Sequence, residues 1–501
     1  MFWWLLIVVL SLAYALNKFI FGYWERLKVP GPAPTFIIGN LGPLLFGKKT
    51  YHEFYSDIYK NWYGYPFVGI YKSGSPALLV RDPDLLKAVT VKNFKNFYDN
   101  DVHLDKKNDP ILGRNIFFLK GEEWKQTRAI LTPCFTSGKM KTLFPLVDNV
   151  SRRLVNYINK QIEENNPTLE LKEVCTKTTL ENVAISAFGL EAKCFEDPNA
   201  EFKQLADKFL TPGGWEVYKM MLVATFPWLS KFLSLKLVSK DIETHLISLV
   251  QGTVEYREKN NVQRNDFLNT LMQLRQNNPN FKMIDVVGNA ATFFADGYET
   301  SSIVMSFALF ELARNQDAQD KVRNEIITKI QENNGELTYE LMMEMEYLDE
   351  CLSESQRMYP ALTVLSKVCT EKFTYQTTNT KDFNGLSVTI EPGTSILLPW
   401  GSFFNDEKYF PESDKFIPER FLKENNSLSD VSRGLFKPFG DGPRICIGQR
   451  FGQLQVKLAM VHILKNFKIV FNKKTKMPLK FDPYYIMLSP IEGLWVDFEK
   501  L

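Results

Sequence analysis

A chain of 501 residues, 45% hydrophobic and with 39 phenylalanines, can bury a large core. Its net charge of +2 offers no basic footprint, which argues against a nucleic-acid partner. Six cysteines without a C-x-x-C pair and four widely spaced histidines argue against a zinc or iron–sulfur framework, and such sparse thiols fit a reducing compartment.

Residues 2–24, FWWLLIVVLSLAYALNKFIFGYW, carry one charge, at Lys18. As a helix they reach about 34 Å, enough for a hydrocarbon core of about 30 Å. The start lacks the basic residues of a cleaved signal peptide, which is the competing interpretation. Lys18, Arg26 and Lys28 all follow the apolar run, so that side faces the cytosol. Residues 1–28 are therefore expected to be a membrane anchor and its flank. VPGPAP (29–34) is a stiff extended hinge, because each proline fixes its own φ and disfavours helix in the residue before it. No linker, repeat or low-complexity tract interrupts residues 35–501, which are expected to form one domain.

GPLLFGKK (42–49) has the skeleton of a phosphate loop but lacks its Ser or Thr, and Pro43 removes an amide donor. Short β-like runs such as PALLV (76–80) alternate with helical patches up to about residue 100, and helix dominates from 120. Residues 283–314 are apolar on nearly all sides, the pattern of a helix inside a large domain. Thr338 is placed to cap a helix running to about 358. FTYQTT (373–378), LSVTI (386–390) and TSILLPW (394–400) are expected strands, and 447–466 a helix. The fold class is mainly α with small β-sheets.

FGDGPRICIGQRFG (439–452) seats Cys446 among glycines and arginines just before that last helix. Gly440 and Gly442 admit backbone angles closed to other residues. A cysteine at a helix start is expected to have a lowered pKa. Gly448 lets the backbone approach a neighbour, and Arg444 can pair with an anion beside the sulfur. A buried cysteine in a glycine-rich turn is the alternative.

F-x-x-G-x-R-x-C-x-G (Phe439, Gly442, Arg444, Cys446, Gly448) resembles the haem-binding loop of cytochromes P450. Glu354 and Arg357 in SESQR, followed by Arg420 in PERF, resemble that family's E-x-x-R network. Trp124 and Arg128 in WKQTR resemble its W-x-x-x-R, which contacts a haem propionate. ADGYETSS in the long helix resembles its oxygen-activation motif.

The resemblance covers essentially the whole chain and is nearest to insect microsomal families. It implies a monooxygenase holding haem b (heme b), with the Cys446 thiolate as axial ligand to the metal. Glu299 and Thr300 become an acid–alcohol pair relaying protons, and Gly297 a point of helix opening. A back-bond from Thr300 to its own helix is the structural alternative. Lys367 stands where the family often has Arg, FFNDE (403–407) replaces the common His-x-Asp-Pro, and Asp296 replaces a usual Ala or Gly. Asp296 shares a helix face with Thr300. It is expected to form an ester with haem, to feed the relay by hydrogen bonds, or to turn away.

No flavin or dinucleotide motif is present, so electrons must come from outside. The resemblance implies a membrane-bound NADPH–cytochrome P450 reductase, with cytochrome b5 as a further donor. Any of Lys437, Arg444, Arg450 and Lys457 that face outward could dock such an acidic partner. The substrates implied are small and lipophilic, and the location is the endoplasmic reticulum membrane with the catalytic domain cytosolic. Residues 210–236 are expected to roof the substrate site and dip into the bilayer. A haem-thiolate isomerase or dehydratase is the competing enzyme class, and a haem carrier or gas sensor the non-enzyme one.

Overall fold

Apolar residues on nearly every side of Met283–Arg314 leave this 32-residue helix one stable place, the interior. In the computed structural model, which describes residues 1–102, 104–210, 236–377, 383, 385–422, 425 and 427–501, it is buried along almost its whole length. Helices Leu171–Val183, Glu346–Met358 and Gln449–Asn466 pack against it, and one large apolar core forms around them.

A second core lies under a five-stranded sheet. Its strand order is Phe67–Lys72, Ser75–Val80, Ser395–Leu398, Leu365–Val368, Asp99–Asn100. Only the central pairing of Ser75–Val80 with Ser395–Leu398 is parallel. A three-stranded sheet joins Thr168–Glu170, Trp495–Lys500 and Phe467–Phe471, and a hairpin pairs Phe373–Gln376 with Ser387–Ile390. The class is the expected one: mainly α, small sheets, and one N-terminal helix long and apolar enough to cross a membrane.

Two helix limits differ from the sequence expectation. The N-terminal helix spans Phe2–Phe21, and the next turn, Tyr23–Arg26, already packs on the sheet. Trp24 is buried there, its indole N–H donating to the Ile70 carbonyl at 2.8 Å. The residues expected as a hinge lie along the first strand, with the Gly69 N–H donating to the Pro30 carbonyl at 2.8 Å.

The helix expected from Thr338 to 358 is in fact two. Thr338 caps a short helix, Tyr339–Met343, through the Leu341 N–H, and the chain breaks before Glu346–Met358. Met345, at the start of the second helix, supplies no capping side chain. Glu325 replaces it from another helix, accepting the N–H groups of Tyr347 and Leu348 at 3.0 Å each. Residues 211–235, the bulk of the expected roof, lie outside the described residues.

Candidate active site

The loop before Gln449–Asn466 is closed by its own backbone. Gly440 and Gly442 take φ of +79° and +73°, and the Cys446 N–H donates to the Phe439 carbonyl at 2.9 Å. A Cβ on Gly442 would come within 2.0 Å of the Thr90 carbonyl oxygen, so glycine is required there twice over. At Gly448 the protein itself imposes no such crowding: a Cβ would meet only Cys446 Sγ, at 4.0 Å.

Arg128 donates to the Ile445 carbonyl at 2.7 Å and so holds the residue before Cys446. Arg444 does not sit beside the sulfur as an anion partner. Its guanidinium donates to the carbonyls of Tyr98, Ile116 and Leu119, pairs with Asp99 at 3.3 Å, and stacks 4.0 Å over the buried Trp124 ring. Burial pulls the Arg444 pKa down to about 10 against the opposing charge of Asp99.

The expected lowering of the Cys446 pKa is overturned: the thiol is pushed up, chiefly by burial and further by the charge of Asp296. The N–H groups of Gly448 and Gln449 and the charge of Arg128 pull the other way without prevailing. Cys446 and Asp296 both keep accessible surface although protein surrounds them, so both face one interior space.

Lys367, on strand Leu365–Val368, is buried and its ammonium has no hydrogen-bond partner among the described residues. Burial, then the neighbouring Arg444 charge, bring its pKa down to about 7. The Tyr98 hydroxyl, also beside Arg444, likewise has no hydrogen-bond partner among the described residues. These orphaned donors fit an anionic group. Among the described residues no cluster of three or more His, Cys, Asp or Glu side chains could hold a metal ion. A metal bound by a lone thiolate therefore needs its other ligands from a cofactor's own ring, and the donor set fits haem.

The long helix closes the other side. It runs unbroken through Gly297, where a Cβ would press on Val183 at 3.2 Å, and the Gly297 carbonyl accepts from Gln455 at 2.8 Å. Thr300 Oγ1 makes the back-bond, donating to the Asp296 carbonyl at 3.0 Å. Glu299 is buried with both oxygens engaged, by Lys172 Nζ at 2.8 Å and by the Tyr485 hydroxyl at 2.7 Å. Asp296 Oδ2 accepts from Asn115 Nδ2 at 3.0 Å, and burial pushes its pKa up to about 6. Asn115 is fixed in turn by the Phe117 N–H, which donates to its Oδ1. No sequence signal links this loop asparagine to the long helix.

Behind the loop, Glu354 takes two bonds from Arg357 and one each from Arg420 and the Ile417 N–H, all between 2.8 and 3.0 Å, and the three charged side chains are buried. In FFNDE, Asn405 donates to the Gly401 carbonyl and Asp406 accepts from Tyr59, so this segment supplies its own supporting bonds. Lys457 is buried against Asp349 and Arg444 against Trp124. Of the four basic residues, only Lys437 and Arg450 keep appreciable surface.

Residues 29–496 match the family described as Cytochrome P450. Similar proteins include cytochrome P450 6a2 of Drosophila melanogaster, 35% identical over 99% of both chains. Cytochrome P450 6j1 of Blattella germanica is 36% identical over 96% of this chain and 94% of its own, and cytochrome P450 9e2 of the same species 31% over 98% and 96%. A cysteine loop facing a buried acid–alcohol helix, an E-x-x-R network behind it and these full-length likenesses place the chain in the cytochrome P450 family of haem-thiolate monooxygenases.

Proposed function

We propose that the chain inserts one atom of O2 into small lipophilic molecules, which include xenobiotics, hormones or lipids. Electrons come from NADPH through a separate membrane-bound reductase, with cytochrome b5 as a second donor. Phe2–Phe21 anchors the protein in the endoplasmic reticulum membrane, and the body lies on the cytosolic side. Cys446 would hold the haem iron as a thiolate, the metal's charge rather than the helix end favouring loss of its proton. Lys367 and Arg128 would hold the haem propionates. Arg444 and Trp124 stack to brace the loop that Phe439 closes, and Gly448 leaves room beside the sulfur.

When bound, the haem iron supplies electron acceptance and dioxygen activation. The protein's part is to deliver protons to the interior space. Thr300 can turn its hydroxyl from the Asp296 carbonyl toward that space. Glu299, backed by Lys172 and Tyr485, and Asp296, on the same face as Thr300, are the acids within reach, with Gly297 between them. Lys437 and Arg450 remain as docking cations for the reductase.

One observation carries this function: the Cys446 sulfur and Asp296, one helical turn before Thr300, face one interior space, and Lys367, next to Arg444 of the cysteine loop, has no hydrogen-bond partner among the described residues. The ferrous–CO spectrum of the purified protein tests it. A red-shifted Soret band is expected, lost in Cys446→Ala; a wild type without it overturns thiolate ligation. NADPH-dependent oxygen uptake with added reductase then separates oxygenation from isomerisation.

A further inference from the structure

Among the described residues Asp296 has no ion-pair partner, unlike Glu299 and Asp285 on the same helix. Glu299 is neutralised by Lys172 at 2.8 Å, and Asp285, further back on the same helix, by Arg114 at 2.9 Å. Arg128, Arg444 and Lys367 stand around the Cys446 loop and Trp124. Among the described residues no ion pair to Asp296 is formed: burial raises its pKa and the Asn115 amide opposes the rise.

The carboxylate is also aimed. Asn115 is held by the Phe117 N–H and donates to Oδ2, which fixes the rotamer. Oδ1 accepts no hydrogen bond from a described residue, and the side chain faces the interior space shared with the Cys446 sulfur. An unpaired buried anion is costly, and a cation brought by a ligand relieves that cost.

We propose that Asp296, positioned by Asn115, is a specificity site for substrates bearing a cationic nitrogen, which it holds by ion pairing inside the substrate space. This deepens the function proposed above and rests on its haem-thiolate site. Asp296 thereby favours oxidation at carbons a fixed reach from the nitrogen, because the charged end is pinned while the apolar remainder lies over the cofactor. Asn115 is a positioning residue.

The test uses the full-length, haem-loaded protein. The probes are alkyl-trimethylammonium ions of four to twelve chain carbons and the tert-butyl alkanes of the same shape. Neither can ligate iron through nitrogen, and binding is read from the perturbation of the Soret band. At the best-fitting length, wild type should bind the cation at least about tenfold more tightly than its neutral isostere, the scale of a bond to a charged group. Asp296→Ala, which restores the small residue common at this motif position, should erase the preference, and Asp296→Glu should keep its sign. Asn115→Ala should reduce it while the neutral isostere binds as before.

Equal binding of cation and isostere, binding of neither, or a preference that survives Asp296→Ala overturns the proposal. The ferrous–CO spectrum is recorded on the same samples. With the red-shifted band present, a negative result counts against the cation site alone. A wild type lacking the band indicts the haem-thiolate function instead.

Discussion

The Lys367 ammonium lies 5.7 Å from the centre of the Phe94 ring but has no hydrogen-bond partner among the described residues. Its pKa of about 7 in the folded chain compares with about 10.4 for a free lysine. Between those values the unfolded chain binds more protons, so this group's contribution to stability rises with pH. An anionic propionate beside Lys367 would restore the charge. Haem affinity should therefore fall as pH rises from about 7 toward 10, by at most about tenfold per pH unit. Haem transfer to excess apomyoglobin should accelerate across that range in wild type and stay flat in Lys367→Arg, whose guanidinium keeps its charge. A wild-type profile as flat as the variant's would remove Lys367 from the haem site. Thr300→Ala loses the hydroxyl that back-bonds to Asp296 but no packing of consequence, so haem content should hold. Peroxide released per NADPH should rise severalfold, and unchanged coupling to product would take Thr300 out of the relay. At this scale the motif residues are legible because each is fixed by local spacing. Asn115 and the direction of the Cys446 shift are not, since both depend on what the folded chain brings across the site.

Among elements, Met283–Arg314 could be read to its ends because its own composition decides its burial. The helix after Thr338 could not. Its sequence continues in helical register through Glu344 and Met345, but Glu325 offers two carboxylate oxygens to the N–H groups of Tyr347 and Leu348. That external cap makes a fresh helix start at Glu346 more favourable than a continuous one. Glu325→Ala should leave both amides without a protein acceptor and cost about 1–2 kcal/mol, the range for lost caps. Glu325→Gln keeps one acceptor and should cost less. Thermal denaturation of the two variants, with hydrogen exchange at residues 346–349, measures both effects. Protection there unchanged in Glu325→Ala would show that the break has another origin. The consequence reaches the site, because this second helix carries Glu354 and Arg357 into the network behind the cysteine loop.

For the whole molecule, the open question is how an apolar N-terminal helix with no buried residue is joined to the body. The prolines of 29–34 lead one to expect a stiff extended hinge that sets the body off from the anchor only there. The packing starts earlier: Trp24 is 3% exposed, its ring fills the place of a Gly69 side chain, and its indole N–H is held by Ile70. A Cβ on Gly69 would approach the ring to 2.5 Å, so strand Phe67–Lys72 is shaped to receive it. The Trp24 amide N–H is also bonded, donating to the Tyr71 hydroxyl, which itself donates to the Phe21 carbonyl at 2.6 Å. The joint is rigid, and nothing local to residues 23–24 announces it, because its receptor lies more than forty residues on. Where the anchor is cut should therefore matter more than that it is cut. Removing residues 2–21 leaves Trp24 seated, and the shortened protein should melt as the full chain does. Removing residues 2–24 empties the Gly69 recess and strips the Ile70 carbonyl of its donor. Loss of a buried tryptophan costs about 3–5 kcal/mol, so the longer deletion should lower the melting temperature by several degrees with haem still bound. Trp24→Ala in the full chain should reproduce that drop, which separates loss of the joint from loss of the anchor. Equal melting of the two truncations would mean that Trp24 adds no stability where it sits.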